Sequence, residues 1–161
     1  MEQTDFQNAV DRNSHRLFLL ALSFLQNHSD AEDVLQDVFL KLWLRTAPFE
    51  NETHMDKFLT SVCVNGCRNL LRSSFRKRCA APEEEALSLY TFDSTEDCDL
   101  FCAVMALPLR ERTVVHLFYY EDMSVKEIAA ALHIGQSAVK TALHRARNHL
   151  RECLKEDGDH A

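Results

Sequence analysis

The sequence predicts an all-α chain, built as two small helical domains joined by a flexible acidic linker. Three observations carry that expectation. Glycine and proline are scarce, three of each in 161 residues, whereas Leu, Ala, Glu and Arg are abundant, a composition that favours helices over turn-rich β folds. Apolar residues recur at steps of three and four, the period of a helix with one buried face. Charge is laid out in blocks, with two basic segments either side of an acidic one. The expected boundaries are residues 1–79 and 95–161 for the domains and 80–94 for the linker.

A first helix is expected from about Thr4 to Gln26, with Phe6, Val10, Leu17, Leu20, Ala21 and Phe24 as its apolar stripe. Ser29-Asp30-Ala31-Glu32 has the form of a capping box and opens a second helix reaching about Arg45. Val34, Leu35, Val38, Phe39, Leu42 and Trp43 face inward on it, with Asp30, Asp33 and Asp37 on the other side. Thr46 to Thr53, with Pro48, reads as a loop, and Phe49 within it as an exposed aromatic.

A third helix is expected from about Met55 to Arg78. At 100° per residue, Phe58, Leu59, Val62, Cys63, Gly66 and Leu70 share one side. Asn65, Arg68, Arg72 and Arg76 share the opposite side, with Asn69 at its edge. Gly66 costs about 1 kcal/mol against alanine inside a helix, so close packing against a neighbour is its expected reason. Cations of one sign interleaved with amides suit nucleic acid better than plain solvent.

Cys79 to about Asp93 contains Pro82 and an acidic run and reads as linker. Ser94-Thr95-Glu96-Asp97 caps a helix to about Ala106; Leu107-Pro108 breaks it, and a further helix follows from Arg110 to about Tyr120.

The net charge of −7 argues against a phosphate partner until its distribution is examined. Phe58 to Pro82 and Ile128 to Arg151 contain no acid, and Cys79 to Leu109 contains no base. Six cysteines lack any CxxC, and the eight histidines show no paired-ligand spacing, so no metal or other cofactor is expected. The cysteines read as small buried hydrophobes, Cys63 with Cys67 and Cys98 with Cys102 falling four apart as on one helix face. No apolar run is long enough to cross a bilayer and the N-terminus lacks signal-peptide form, so the expected location is the cytoplasm, with no membrane insertion.

The last third has the pattern of a helix-turn-helix. Ser124-Val125-Lys126-Glu127 is a capping box before a short helix with Ile128, Ala129 and Leu132. The turn His133-Ile134-Gly135-Gln136 leads to a longer helix from about Ser137. Val139, Leu143, Ala146 and Leu150 form its buried stripe; Lys140, His144, Arg147 and Arg151 form an exposed one, flanked by Thr141, Arg145 and Asn148. Such a helix suits the major groove of DNA.

These segments resemble a known family. Leu107 to Leu150 looks like region four of extracytoplasmic-function sigma factors of bacterial RNA polymerase. Ser29 to Trp43 resembles their region two-point-two, and Phe58 to Arg78 the segment that contacts promoter DNA. The resemblance implies promoter recognition and transcription initiation for a stress- or signal-responsive gene set, by binding rather than catalysis, in a minimal form without a region-three domain. It implies that Asp33, Gln36, Asp37 and Leu40 face the β′ clamp helices of core polymerase, with the β flap as a second polymerase contact. Asn65 and Asn69 match positions that read the melted minus-ten element. Phe49, Glu50 and Asn51 match part of its base pocket, and Arg68 and Arg72 lie near its backbone. Lys140, Thr141, His144 and Arg145 match the minus-thirty-five reading positions, with Ser124 and Lys126 near its phosphates. An anti-sigma protein joins the implied partners.

The chain departs from the family pattern at four places. His133 stands where the turn usually has Gly, and Gly135 at the usual Ser cap. Phe58 replaces a common Trp, and Ala142 a common Arg, which implies one lost phosphate contact. Two rival readings predict different behaviour. A helix-turn-helix regulator would be a stable homodimer on a palindrome without polymerase. A thiol- or metal-responsive module would carry metal when purified.

Overall fold

The computed structural model describes residues 1–74 and 95–159, and side chains over 1–73 and 99–155. The chain divides into two compact units, Met1–Glu83 and Glu84–Ala161. All regular structure among the described residues is helical. The expected linker at 80–94, and the expected extension of the third helix to Arg78, lie outside the described residues.

The first unit packs α1 (Gln3–Leu25), α2 (His28–Leu44) and α3 (Glu52–Ser74) pairwise against one another. α1 ends where Gln26 turns left-handed at φ 49°, its N–H returning to the Leu22 carbonyl. Asn27 then caps α2, its side-chain oxygen accepting the Asp30 N–H at 2.9 Å. The expected box at Ser29 is therefore not the cap. With Gln26 already closing α1, only Asn27 is left to begin α2, and Ser29 falls inside the helix.

Leu17, Leu20, Ala21, Phe24, Val34, Val38 and Leu42 are buried as their periodicity requires. Trp43, expected inward, is 49% exposed, its ring set at a steep angle to Phe6 with the centroids 5.0 Å apart. On α3 the buried arc is Leu59, Thr60, Cys63, Val64 and Cys67, while Phe58, Val62, Gly66 and Leu70 are half-buried. α3 meets both α1 and α2, so it buries a wider arc than a single stripe. Gly66 meets the expectation of close packing: a Cβ there would stand 3.3 Å from Val34 Cγ1.

A polar seam aligns α1 with α3. Asn13, 1% exposed, donates to the Ala9 carbonyl at 2.9 Å and accepts from Arg16 at 2.8 Å. Arg16 also donates to Thr60 Oγ1 at 2.8 Å. Burying such groups unpaired would cost about 1–3 kcal/mol each, so the seam fixes helix register. Arg12 adds ion pairs to Glu52 at 2.9 Å and Asp56 at 2.8 Å.

The cysteines divide. Cys63 and Cys67 are buried as expected, and the Cys63 thiol donates to the Leu17 carbonyl at 3.7 Å. The hydrogen bond with Cys63, and then burial, push the Cys67 thiol well up, which keeps it protonated and unreactive. Cys102 and Cys153 are exposed, contrary to expectation, while Cys79 and the side chain of Cys98 lie outside the described residues.

The second unit contains α4 (Thr95–Met105), α5 (Leu109–Val115), α6 (Val125–Leu132) and α7 (Gln136–Asp159). Phe101, Val104, Leu107, Val114, Leu117, Ile128, Val139, Leu143 and Ala146 fill its core. The helix expected to Tyr120 changes character at Val115, where a π-helical turn spans His116–Tyr120, closed by Glu121 N–H to the His116 carbonyl at 3.3 Å. Glu111 through Leu117 are all buried, so this segment is surrounded rather than amphipathic. Arg112, 6% exposed, donates to the Leu107 carbonyl at 2.9 Å just beyond α4, and burial pushes its guanidinium down to about 10.

Candidate nucleic-acid interfaces

α3 presents Asn65, Asn69 and Arg72 exposed and Arg68 half-buried, at spacings of three and four along one face. Partial burial, and then the nearby Arg72 cation, push the Arg68 guanidinium down. Two guanidiniums close enough to repel form a site that an anion would relieve.

The loop before α3 is tightly tied. Asn51 caps α3, its Oδ1 accepting the His54 N–H at 2.8 Å. The Glu50 N–H donates to His54 Nδ1 at 3.2 Å. Phe49 is half-buried rather than an exposed aromatic, its ring 5.4 Å from Phe58 and 5.3 Å from His54. The Arg45 guanidinium lies 4.5 Å from the Phe49 centroid and 4.6 Å from Phe58. Arg45 and His54 went unremarked in the sequence; the one signal for His54 was an Asn three residues upstream.

The helix-turn-helix is capped as expected. Ser124 Oγ accepts the Glu127 N–H at 3.1 Å, and Glu127 Oε1 accepts the Ser124 N–H at 3.3 Å. His133 takes the left-handed conformation at φ 54°, ψ 45°, and its N–H closes α6 on the Ala129 carbonyl. α7 begins at Gln136, so the turn is one residue shorter than expected.

Lys140, Thr141, His144 and Arg145 are exposed on α7, opposite the buried Val139, Leu143 and Ala146. Asn148 Nδ2 and His144 Nε2 are 3.3 Å apart. Ala142 is only 4% exposed. Its methyl is part of the core of the unit. Arg147 is bonded to Tyr119 of its own unit, and His149 Nδ1 lies 2.7 Å from Glu111 Oε2. Ser124 and Lys126 are exposed at the start of α6.

On α2, Asp33, Gln36 and Asp37 are exposed and continue into an apolar end, with Leu40 53%, Trp43 49% and Leu44 66% exposed. Apolar surface beside acids on one helix marks a protein-binding face more than a DNA-binding one. Among the described residues no cluster of His, Cys, Asp and Glu is arranged to hold a metal, and no helix is long and apolar enough to cross a membrane.

A capped helix-turn-helix with a cationic second helix, together with a separate helical unit that has its own cationic amide-bearing face, defines a helical DNA-binding protein. Residues 9–77 match the Sigma-70 region 2 family and residues 99–150 match Sigma-70, region 4. The chain is 32% identical over 157 residues to the RNA polymerase sigma-E factor of Streptomyces coelicolor, covering 95% of this chain and 88% of that one. It is 30% identical over 142 residues to the RNA polymerase sigma factor SigV of Bacillus subtilis, covering 87% and 86%. The solved structure of CnrH in complex with the cytosolic domain of CnrY aligns with a TM-score of 0.62 at 27% identity, over 97% of this chain and 91% of that one. The fold is shared with the sigma factor RpoE in complex with the anti-sigma factor NepR from Bartonella quintana, TM-score 0.66 at 23% identity, over 94% and 97%.

The chain belongs to the extracytoplasmic-function sigma factors of the sigma-70 family. It is an RNA polymerase sigma factor that acts in transcription initiation, and the homodimeric-regulator alternative is not favoured.

Proposed function

We propose that the two units divide promoter recognition, residues 1–79 serving the minus-ten element and core polymerase, residues 95–161 the minus-thirty-five element, with 80–94 as linker. The observation that carries this is that both candidate DNA faces are the exposed sides of helices whose other sides build a core. Such faces are held rigidly and keep their charges free for phosphate.

In this reading Lys140, Thr141, His144 and Arg145 read duplex bases, and Ser124 and Lys126 touch its phosphates. Asn65 and Asn69, with Phe49, Glu50 and Asn51, receive bases of the opened strand, while Arg68 and Arg72 hold its backbone. Asp33, Gln36, Asp37 and Leu40 dock on the β′ clamp helices, and the second unit meets the β flap. The role is specificity by binding, without catalysis, in the cytoplasm beside polymerase and for a signal-responsive gene set. An anti-sigma protein is a proposed partner, on the strength of two similar folds solved with such or comparable cytosolic partners.

The test is transcription in vitro with core polymerase lacking any other specificity subunit, followed by sequencing of the transcript starts. Starts should share two conserved elements at fixed spacing. Failure of the chain to co-elute with core polymerase would remove the reading.

A further inference from the structure

We propose that Arg45 and His54 are positioning residues that hold the 46–51 loop in its base-receiving shape before DNA arrives. The inference rests on the reading of the first unit as the minus-ten reader and deepens it. An exposed connection between helices must lose conformational freedom when it grips a ligand, and that loss weakens binding and blurs discrimination. In the free chain the loop is already tied by contacts at both ends.

Arg45 ends α2 in an extended conformation, φ −69°, ψ 128°, and its side chain folds back under the loop it begins. Its Nε donates to the Ala47 carbonyl at 3.1 Å. Its guanidinium contacts the Phe49 and Phe58 rings together, joining a loop aromatic to a helix aromatic. His54 secures the other end from the first turn of α3. Its backbone N–H donates to Asn51 Oδ1, its Nδ1 accepts the Glu50 N–H, and its ring stands nearly perpendicular to Phe49 at 5.3 Å between centroids. Phe49, Glu50 and Asn51 each therefore touch Arg45 or His54.

The bonds also sort the groups left for DNA. Asn51 Oδ1 is committed to α3, so the side chain offers its NH2 as a donor. The Glu50 N–H is committed, while its carboxylate has no partner among the described residues. A neutral His54 that accepts at Nδ1 carries its proton on Nε2.

The experiment compares holoenzymes of wild type, His54→Ala, His54→Phe, His54→Asn and Arg45→Lys on labelled forked DNA. The fork comes from a start site mapped with the wild-type holoenzyme, and each single-stranded minus-ten position carries each of the four bases in turn. His54→Phe keeps a ring without the acceptor, and His54→Asn keeps an acceptor near the Nδ1 position. Arg45→Lys keeps charge without the flat guanidinium. Losing one such tether is expected to reduce base discrimination about five- to tenfold in His54→Ala and His54→Phe. Arg45→Lys should fall in the same direction, and His54→Asn should regain at least half of the loss. Core-polymerase affinity should be unchanged, and the melting temperature should fall only by the few degrees that one lost hydrogen bond costs.

Discrimination equal to wild type in His54→Ala and His54→Phe overturns the inference and leaves the minus-ten reading standing. Uniform weakening on all four bases, together with weaker core binding, overturns it in favour of a merely structural role. A wild-type holoenzyme with no base preference on the single strand removes the minus-ten reading itself, and this inference with it.

Discussion

Arg147 donates its Nε–H to the Tyr119 hydroxyl at 2.8 Å, and its guanidinium lies 5.8 Å from the Phe118 ring centroid and 5.7 Å from Tyr119. The cationic stripe of α7 is thus not uniform. Arg147 ties the long helix to the π-helical turn, whereas Arg145 stands exposed two residues before it. Arg147→Ala is expected to lower stability by about 0.5–1.5 kcal/mol, read as a shift in the denaturation midpoint. Arg145→Ala should leave that midpoint in place and cost about 1–3 kcal/mol of preference at one base pair of the minus-thirty-five element, measured by competition binding. Equal loss on every sequence would make Arg145 a phosphate contact instead.

Asn65 lies on the face assigned to the opened strand. Asn65→Ala should slow open-complex formation, followed by permanganate reactivity, while association with duplex promoter stays within about twofold of wild type. An unchanged melting rate would detach this residue from strand capture.

His116 is 1% exposed, its ring stacked on Tyr120 at 4.7 Å, with Nδ1 buried and without a hydrogen-bond partner among the described residues. Burial pushes the imidazole down from 6.5 to about 3. The unfolded chain therefore binds a proton that the folded chain refuses. His116 favours folding fully only above the unfolded value, and stability falls as pH drops from about 6.5 towards 3. The slope is on the order of 1 kcal/mol per pH unit. His116→Phe should remove that slope, seen as a wild-type minus variant difference that changes between pH 6 and pH 4.5 in urea titrations. A constant difference would show that another group governs the acid sensitivity.

The contact between Gly66 and Val34 separates two effects. Gly66→Ala gains about 1 kcal/mol of helix propensity but sets its methyl against Val34, so the net change should be small. Gly66→Leu has no such compensation and should cost about 1–3 kcal/mol in the denaturation midpoint. Wild-type stability in the leucine variant would show that α2 and α3 are free to separate.

His133 holds a left-handed conformation that most side chains resist. His133→Gly should raise stability by up to about 1 kcal/mol, and His133→Val should lower it by more. The melting temperatures of the two variants must bracket that of wild type, and any other order contradicts the strained turn.

Where local chemistry decides, the fold was legible. The Ser124–Glu127 box and the Val139, Leu143, Ala146 stripe depend on residues within two turns of each other, and both stand where their spacing put them. Elements decided by tertiary contacts were not. The π-helical turn at His116–Tyr120 is one of these, and nothing in the periodicity of Val114 to Tyr120 signals it. Trp43 matches an inward position, but it lies in the last turn of α2 and stays half exposed against Phe6. The loop around Phe49 reads as open because its order comes from Arg45 and His54, whose roles need three dimensions. The faces of α3 and α7 were the easiest part of the candidate site, since helical periodicity separates charge from core.

The chain has a single tryptophan, and it lies on the outer end of α2, its indole steadied by Phe6 yet half open to water. Its emission therefore senses directly whether that end of the helix is wet or covered. If α2 docks on the clamp helices as proposed, a tryptophan-free peptide copying them should shift the spectrum towards the blue, and docking could be titrated by intrinsic fluorescence without attaching any dye.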